Sequence, residues 1–171
     1  MPKPRPGTFR RLKPGEMPLN PEITPGDFKP SVAQPQVGAY RKFAERYGTP
    51  SHVLYPGCGY DKSPSAVFRD VLYIDIDSRA VDALRSEGLD ARIQDIKELV
   101  PDREFDLLLL MNFNIKEPHL SRLAVCYVIA NNYWKAADGL RKNPNFEFVE
   151  DLYPELPRQN KSAGYFLFRR A

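Results

Sequence analysis

The stretch of this chain best suited to holding a ligand is Val53-Leu54-Tyr55-Pro56-Gly57-Cys58-Gly59-Tyr60-Asp61. A short apolar run ends abruptly in Gly-x-Gly, and glycine lets backbone approach a bound molecule closely because it has no Cβ to collide with it. Ser63 as N-cap and Pro64 at the first helical position predict a helix over 63–69. A second apolar run, Val71-Leu72-Tyr73-Ile74, then ends in Asp75. A carboxylate at the tip of the second strand of a doubly wound sheet can accept hydrogen bonds from ribose hydroxyls. Glycine turn and acid together point to a nucleoside-containing cofactor. Cys58, between the two glycines, reads as a small residue filling a tight turn, since no base is spaced to activate it.

These residues need a scaffold, and the rest of the chain supplies its pattern. Val37, Tyr40, Ala44 and Tyr47 recur at helical spacing before the stop signal Gly48 and Pro50, which predicts a helix over 36–47. Strands are expected at 52–55, 71–75, 91–94, 107–111 and 125–130. Helices are expected after Asp77 or Ser78 up to Gly88, over 118–123 and over 133–142. Leu107–Met111 is unbroken apolar sequence, as in a strand buried on both faces of a parallel sheet. The ending differs: 146–153 and 164–169 read as two strands with no helix between them. Alternating strands and helices predict an α/β, doubly wound, mostly parallel sheet, with ligand-facing loops at the carboxyl ends of its strands. Gly57, Gly59, Asp75, Asp95, Asn112, Asn131 and Asn132 all fall on that edge.

Composition narrows the class. A chain of 171 residues with 42% hydrophobic residues can bury the core of one domain. No apolar run approaches the ~20 residues that span a bilayer, and the opening residues have no apolar signal segment. Two cysteines make neither a disulfide framework nor a metal site, so a cytoplasmic protein is expected. The net charge of +3 lies wholly in residues 1–35, which also hold nine of the 17 prolines. This basic, Pro-rich leader is expected to precede a single domain over 36–171. A solvated or packed arm is its main reading, and contact with nucleic acid the lesser one. Met17, Leu19, Ile23, Phe28 and Val32 are spaced through it. The part from Met17 onward is therefore expected to lie against the domain near the carboxyl edge and help close an acceptor pocket, with the first dozen residues mobile.

The series Val53–Asp61, Asp75, Asp95 and Phe105–Asn112 resembles the class I S-adenosylmethionine-dependent methyltransferases, over residues 36–171. The resemblance implies a seven-stranded sheet of order 3-2-1-4-5-7-6 that ends in an antiparallel hairpin, and methyl transfer from S-adenosyl-L-methionine. By position, Tyr55, Gly57, Cys58 and Gly59 would form the loop beneath the methionine part. Asp75 and Ile76 would meet the ribose, Asp95 and Ile96 the adenine, and Asn112 and Phe113 the place where donor and acceptor meet. Two positions depart from the family. Tyr55 stands where an acid usually begins the loop, and Asp61 replaces the third glycine. The Asn-Pro-Pro-aromatic signature of enzymes that methylate amino nitrogens is replaced by Met111-Asn112-Phe113-Asn114.

Other readings follow from the same residues. A nicotinamide dinucleotide would want glycine at position 62, where Lys62 stands. The altered loop also suits a catalytically silent methyltransferase-like module that binds cofactor or a protein partner. Asp61 reads first as a helix cap and second as a substitute charge for the missing acid. His52 is expected at the end of the first strand remote from the ligand, and His119 on a surface helix, with approach to the pocket as its alternative. Tyr133 and Trp134 are expected to pack partly against the sheet, the alternative being stacking on a planar acceptor. No metal ligand set is present, and neither the acceptor nor the oligomeric state is legible.

Overall fold

Alternation along the strands divides the side chains between two cores, one on each face of a single sheet. A computed structural model of the protein describes residues 29–155 and 163–171. The strands are β1 (Val53–Pro56), β2 (Val71–Asp75), β3 (Ala91–Ile93), β4 (Leu107–Leu110), β5 (Tyr127–Ala130), β6 (Phe146–Asp151) and β7 (Phe166–Arg170). They pair in the order β3-β2-β1-β4-β5-β7-β6. The first five run parallel, and β7 is antiparallel to both β5 and β6. The sequence-predicted fold class, strand order and terminal hairpin all stand.

On one face Val53, Tyr55, Tyr73, Leu107 and Leu109 pack beneath the helices α1 (Gln34–Tyr47) and α2 (Ser78–Ser86). On the other, Leu54, Ile74, Leu108 and Leu110 meet the short α3 (His119–Arg122) and α4 (Ala136–Lys142). Asp77 caps α2 by accepting from the Arg79 amide at 3.0 Å, and Gly88 follows at φ 81°. α1 starts slightly before the periodic stretch because Pro35 fits a first helical turn, where its missing N–H is no loss.

Two sequence expectations are corrected here. The helix predicted over 63–69 is a single 3₁₀ turn, Ser63–Ala66, and Ser63 is not its N-cap. The Ser63 amide and hydroxyl are both taken by Asp61 Oδ1, at 2.9 and 2.5 Å, so the chain is held in a side-chain-closed turn instead of entering a helix. The helix predicted from 133 starts only at Ala136, and Tyr133 and Trp134 are 50% and 64% exposed instead of packing on the sheet. Asn131 Oδ1 accepts from the Tyr133 amide at 3.4 Å, and Lys135 takes a left-handed φ of 57°, so the loop turns away before α4 begins.

Residues 29–33 lie against the glycine turn. Ser31 pairs with Asp61 in an isolated parallel bridge, and the Ala33 amide donates to Ser63 Oγ at 2.7 Å. Val32 is exposed there. The expectations for Met17, Leu19, Ile23, Phe28 and the first dozen residues lie outside the described residues. Among the described residues, no helix is long and apolar enough to cross a membrane.

Candidate functional site

The site starts from the end of β1. Gly57 and Gly59 both take left-handed φ, 62° and 52°, which folds the backbone into a concave turn above the carboxyl edge of the sheet. The turn is fixed from two sides. Asp75 Oδ2 accepts from the Gly59 amide at 2.8 Å, while its Oδ1 accepts from the Asp77 amide at 2.9 Å. From the α1 side, Tyr55 donates its hydroxyl to Asp61 Oδ2 at 2.5 Å. Burial, with the nearby charge of Asp61 adding to it, pushes the Tyr55 hydroxyl far above its ordinary value, so it stays a neutral donor. Cys58 is buried beneath the turn, and burial reinforced by Asp75 pushes its thiol up, which removes it as a nucleophile.

Five of the nine sequence-predicted positions converge. Gly57, Asp75, Ile76, Asp95 and Ile96 line one cavity of about 170 Å³, with Pro56, Ile74, Gln94 and Phe113 completing it. Asp95 Oδ1 also caps the short turn Ile96–Glu98 by accepting from the Lys97 amide at 2.9 Å. Tyr55 and Cys58 face the α1 side and are outside this cavity, and Gly59 is held at its rim through Asp75. Asn112 lies one cavity further on.

That neighbour is a groove of about 740 Å³ lined by Asn112, Asn114, Lys97, Lys116, His119 and Trp134, among others. Ile96 and Phe113 belong to the walls of both. Phe113 reaches this position because Asn112 takes φ 56°, turning the chain back over the glycine loop. Its ring covers Gly57 so closely that a Cβ there would lie 2.5 Å from Cδ2. Asn112 is braced by Asn131: the Asn112 amide donates to Asn131 Oδ1 at 3.2 Å, and Asn131 Nδ2 donates to Asn112 Oδ1 at 3.1 Å.

The two histidines separate. His52 sits at the opposite end of β1, with Nδ1 2.7 Å from Asp70, as expected of a structural residue. His119 lines the groove, and its Nδ1 is buried without a hydrogen-bond partner among the described residues. Lys97, Lys116 and Asn114 escaped the sequence reading. Asn114 and Lys116 share the loop after β4 and Lys97 stands on the turn Ile96–Glu98, and only the closing of the sheet brings the two segments together. Lys135, directly after Tyr133-Trp134, was the one local signal of an exposed polar–aromatic tip.

The strand order and the antiparallel ending decide the fold. The chain has the class I methyltransferase fold. No family model matches it, and no curated protein sequence matches it either. Solved structures are similar in three dimensions at low sequence identity. Magnesium protoporphyrin IX methyltransferase from Synechocystis PCC 6803, solved with bound SAM, superimposes with a TM-score of 0.60 at 18% identity, over 81% of this chain and 79% of that one. The N-methyltransferase NodS from Bradyrhizobium japonicum WM9 gives 0.60 at 12% identity, over 80% and 95%. An rRNA methylase from Escherichia coli gives 0.56 at 17% identity, where 80% of this chain spans 64% of the larger enzyme.

Proposed function

We propose that this protein is an S-adenosyl-L-methionine-dependent methyltransferase. The observation that carries the reading is the shared wall of Ile96 and Phe113: a cavity at the glycine turn, lined by two carboxylates, opens beside a larger groove. That is the arrangement a donor and an acceptor need in order to meet.

The residues present fit the cofactor's nucleoside half. Asp75 keeps acceptor capacity beyond its two backbone donors, because a carboxylate offers about four lone-pair sites. It can therefore take ribose hydroxyls while it holds the turn. Ile76 and Ile96 supply apolar walls for a planar base, and Asp95 an acceptor for an exocyclic amine. At the loop, Asp61 carries the one carboxylate near the position where the family has an acid. The 3₁₀ turn after the loop weighs against a dinucleotide, whose pyrophosphate rests on a helix N-terminus. When bound, the cofactor supplies a methyl group on a cationic sulfur, open to in-line attack by an acceptor lone pair. This chain's residues orient the partners and exclude water, and no general base is needed for an acceptor that is already nucleophilic.

A second reading, a module that binds cofactor without turnover, draws support from Asp61, whose oxygens already accept from Tyr55 and Ser63. Calorimetry with S-adenosylmethionine, S-adenosylhomocysteine and NAD tests the proposal. Binding of the first two without NAD supports it, and no heat at millimolar cofactor removes it. Transfer of labelled methyl to any acceptor then separates the enzyme from the silent module.

A further inference from the structure

Beyond the donor cavity, the groove has a chemistry of its own. Trp134 is the single tryptophan of the chain, and its ring stands 64% exposed at the lip. It is not loosely placed: Asn114 Nδ2 donates to the Trp134 carbonyl at 3.1 Å, and Asn132 Oδ1 accepts from the Asp138 amide at 3.0 Å. A large aromatic held outward on a pinned loop forgoes its burial and suits a planar partner. Trp134, Asn114 and Lys116 also line a second groove segment of about 750 Å³ that runs on to Lys135, Lys142 and Asn145. The two segments share Asn114, Lys116 and Trp134 in their walls and are taken together as one trough, with the indole between them.

Charge is sorted along that trough. Elsewhere on the surface Lys42, Arg46, Lys62, Arg92, Arg103 and Arg169 each face a carboxylate, while Arg41, Arg69 and Arg122 stand singly, without an ion pair among the described residues. Lys97, Lys116, Lys135 and Lys142 have no ion-pair partner among the described residues. The acids of the trough are already occupied. Glu117 accepts from the Ser121 amide and Asn143 Nδ2, which hold its carboxyl below the usual range, and Asp138 pairs with Arg141. What remains is a row of free cations, side-chain amides and one presented indole. Phosphates need the first, base edges the second and base faces the third.

We propose that this trough is the acceptor site and that the acceptor is an unpaired nucleotide segment, with one base stacked on Trp134 beside Asn112 and Asn114 and the flanking phosphates on the lysines. The proposal rests on the methyltransferase reading for its chemistry, but strand binding is independent of cofactor and is measured without it.

Emission from Trp134 reports directly on the trough. Full-length protein is titrated with single-stranded 12-mers of RNA and of DNA, with the same sequences as duplexes, and with poly-glutamate. Quenching by a single strand, about tenfold tighter than by duplex, supports the proposal, and the RNA and DNA arms tell which sugar is preferred. Labelled-strand anisotropy then follows the variants. Trp134→Ala should weaken binding about tenfold with an unchanged salt slope. Lys97→Gln/Lys116→Gln should reduce the slope of log K against log salt by about 1.4, the share of two phosphates on a single strand. Circular dichroism confirms that each variant folds. No quenching at low salt, equal quenching by poly-glutamate, or strand binding indifferent to both variants would each overturn the proposal. If strands bind and S-adenosylmethionine does not, the trough stands and the methyltransferase reading falls.

Discussion

Asp75 braces the glycine turn and is proposed to hold the ribose as well, and two measurements on a single substitution separate these roles. It accepts from the Gly59 and Asp77 amides and lines the cavity proposed for the ribose. Asp75→Ala should weaken S-adenosylmethionine binding by about 1.5–3 kcal/mol and also lower the unfolding free energy by about 1–2 kcal/mol, because two backbone donors lose their acceptor. Calorimetry and urea denaturation read the two effects separately. A loss of stability with unchanged affinity would reduce Asp75 to a brace for the turn. Gly57 gives a second test. Gly57→Ala puts a Cβ into left-handed backbone and 2.5 Å from the Phe113 ring, so it should cost about 1–3 kcal/mol. Part of that cost is steric and should vanish in a Phe113→Ala background, while the backbone strain should persist. Five of the nine expected positions meet at one cavity because a parallel sheet brings its strand ends to one edge whatever the loops do. Phe113 over Gly57 was not legible, since it depends on the left-handed turn at Asn112, which the sequence permits without requiring.

At the level of elements, the strands were the easiest to read. Val71–Asp75 matches its expected bounds, and the Leu107–Leu110 run is buried on both faces as its composition demands. Helices were harder where a side chain competes with the helical backbone. Asp61 diverts residues 63–66 into a 3₁₀ turn, and Asn131 with Asn132 delays α4, and neither effect leaves a periodic trace. One tie between elements has a pH signature. Tyr47 of α1 donates to Glu150 of β6 at 2.6 Å, and Arg46 pairs with the same carboxylate. The Tyr47 hydrogen bond, then the Arg46 contacts, hold the Glu150 carboxyl below its ordinary range. A carboxyl lowered in the folded state stabilises the fold above its unfolded value of about 4.3, and the contribution disappears as pH falls through the lower folded value. Glu150→Gln should therefore cost about 1 kcal/mol or less at neutral pH and show a flatter loss of stability in acid. Urea midpoints from pH 7 down to pH 3 measure both, and parallel acid profiles would show that this tie contributes nothing.

Across the whole molecule, the segment before α1 straps the chain to the glycine turn at the ligand-facing edge of the sheet. A chain shortened to begin at Gln34 loses the Ser31 bridge to Tyr60 and Lys62 and the Ala33 bond to Ser63. Its thermal midpoint should fall, by the equivalent of about 1–3 kcal/mol, and its cofactor affinity should fall with it. An unchanged midpoint and affinity would make this strap a passenger. The strand order carries a different consequence, one of timing. β6 touches the sheet only through β7, although it is made first. As the chain emerges during synthesis, the five parallel strands can close on α1 and α2 while β6 has nowhere to dock, leaving Phe146 and the open flank of β5 uncovered. The last strand is then the keystone: it slots between two neighbours already made and seals both in one move. Until residue 166 and its successors are free to enter, a nascent chain shows chaperones and proteases an unfinished sheet, and the groove beside β5 takes its final shape last.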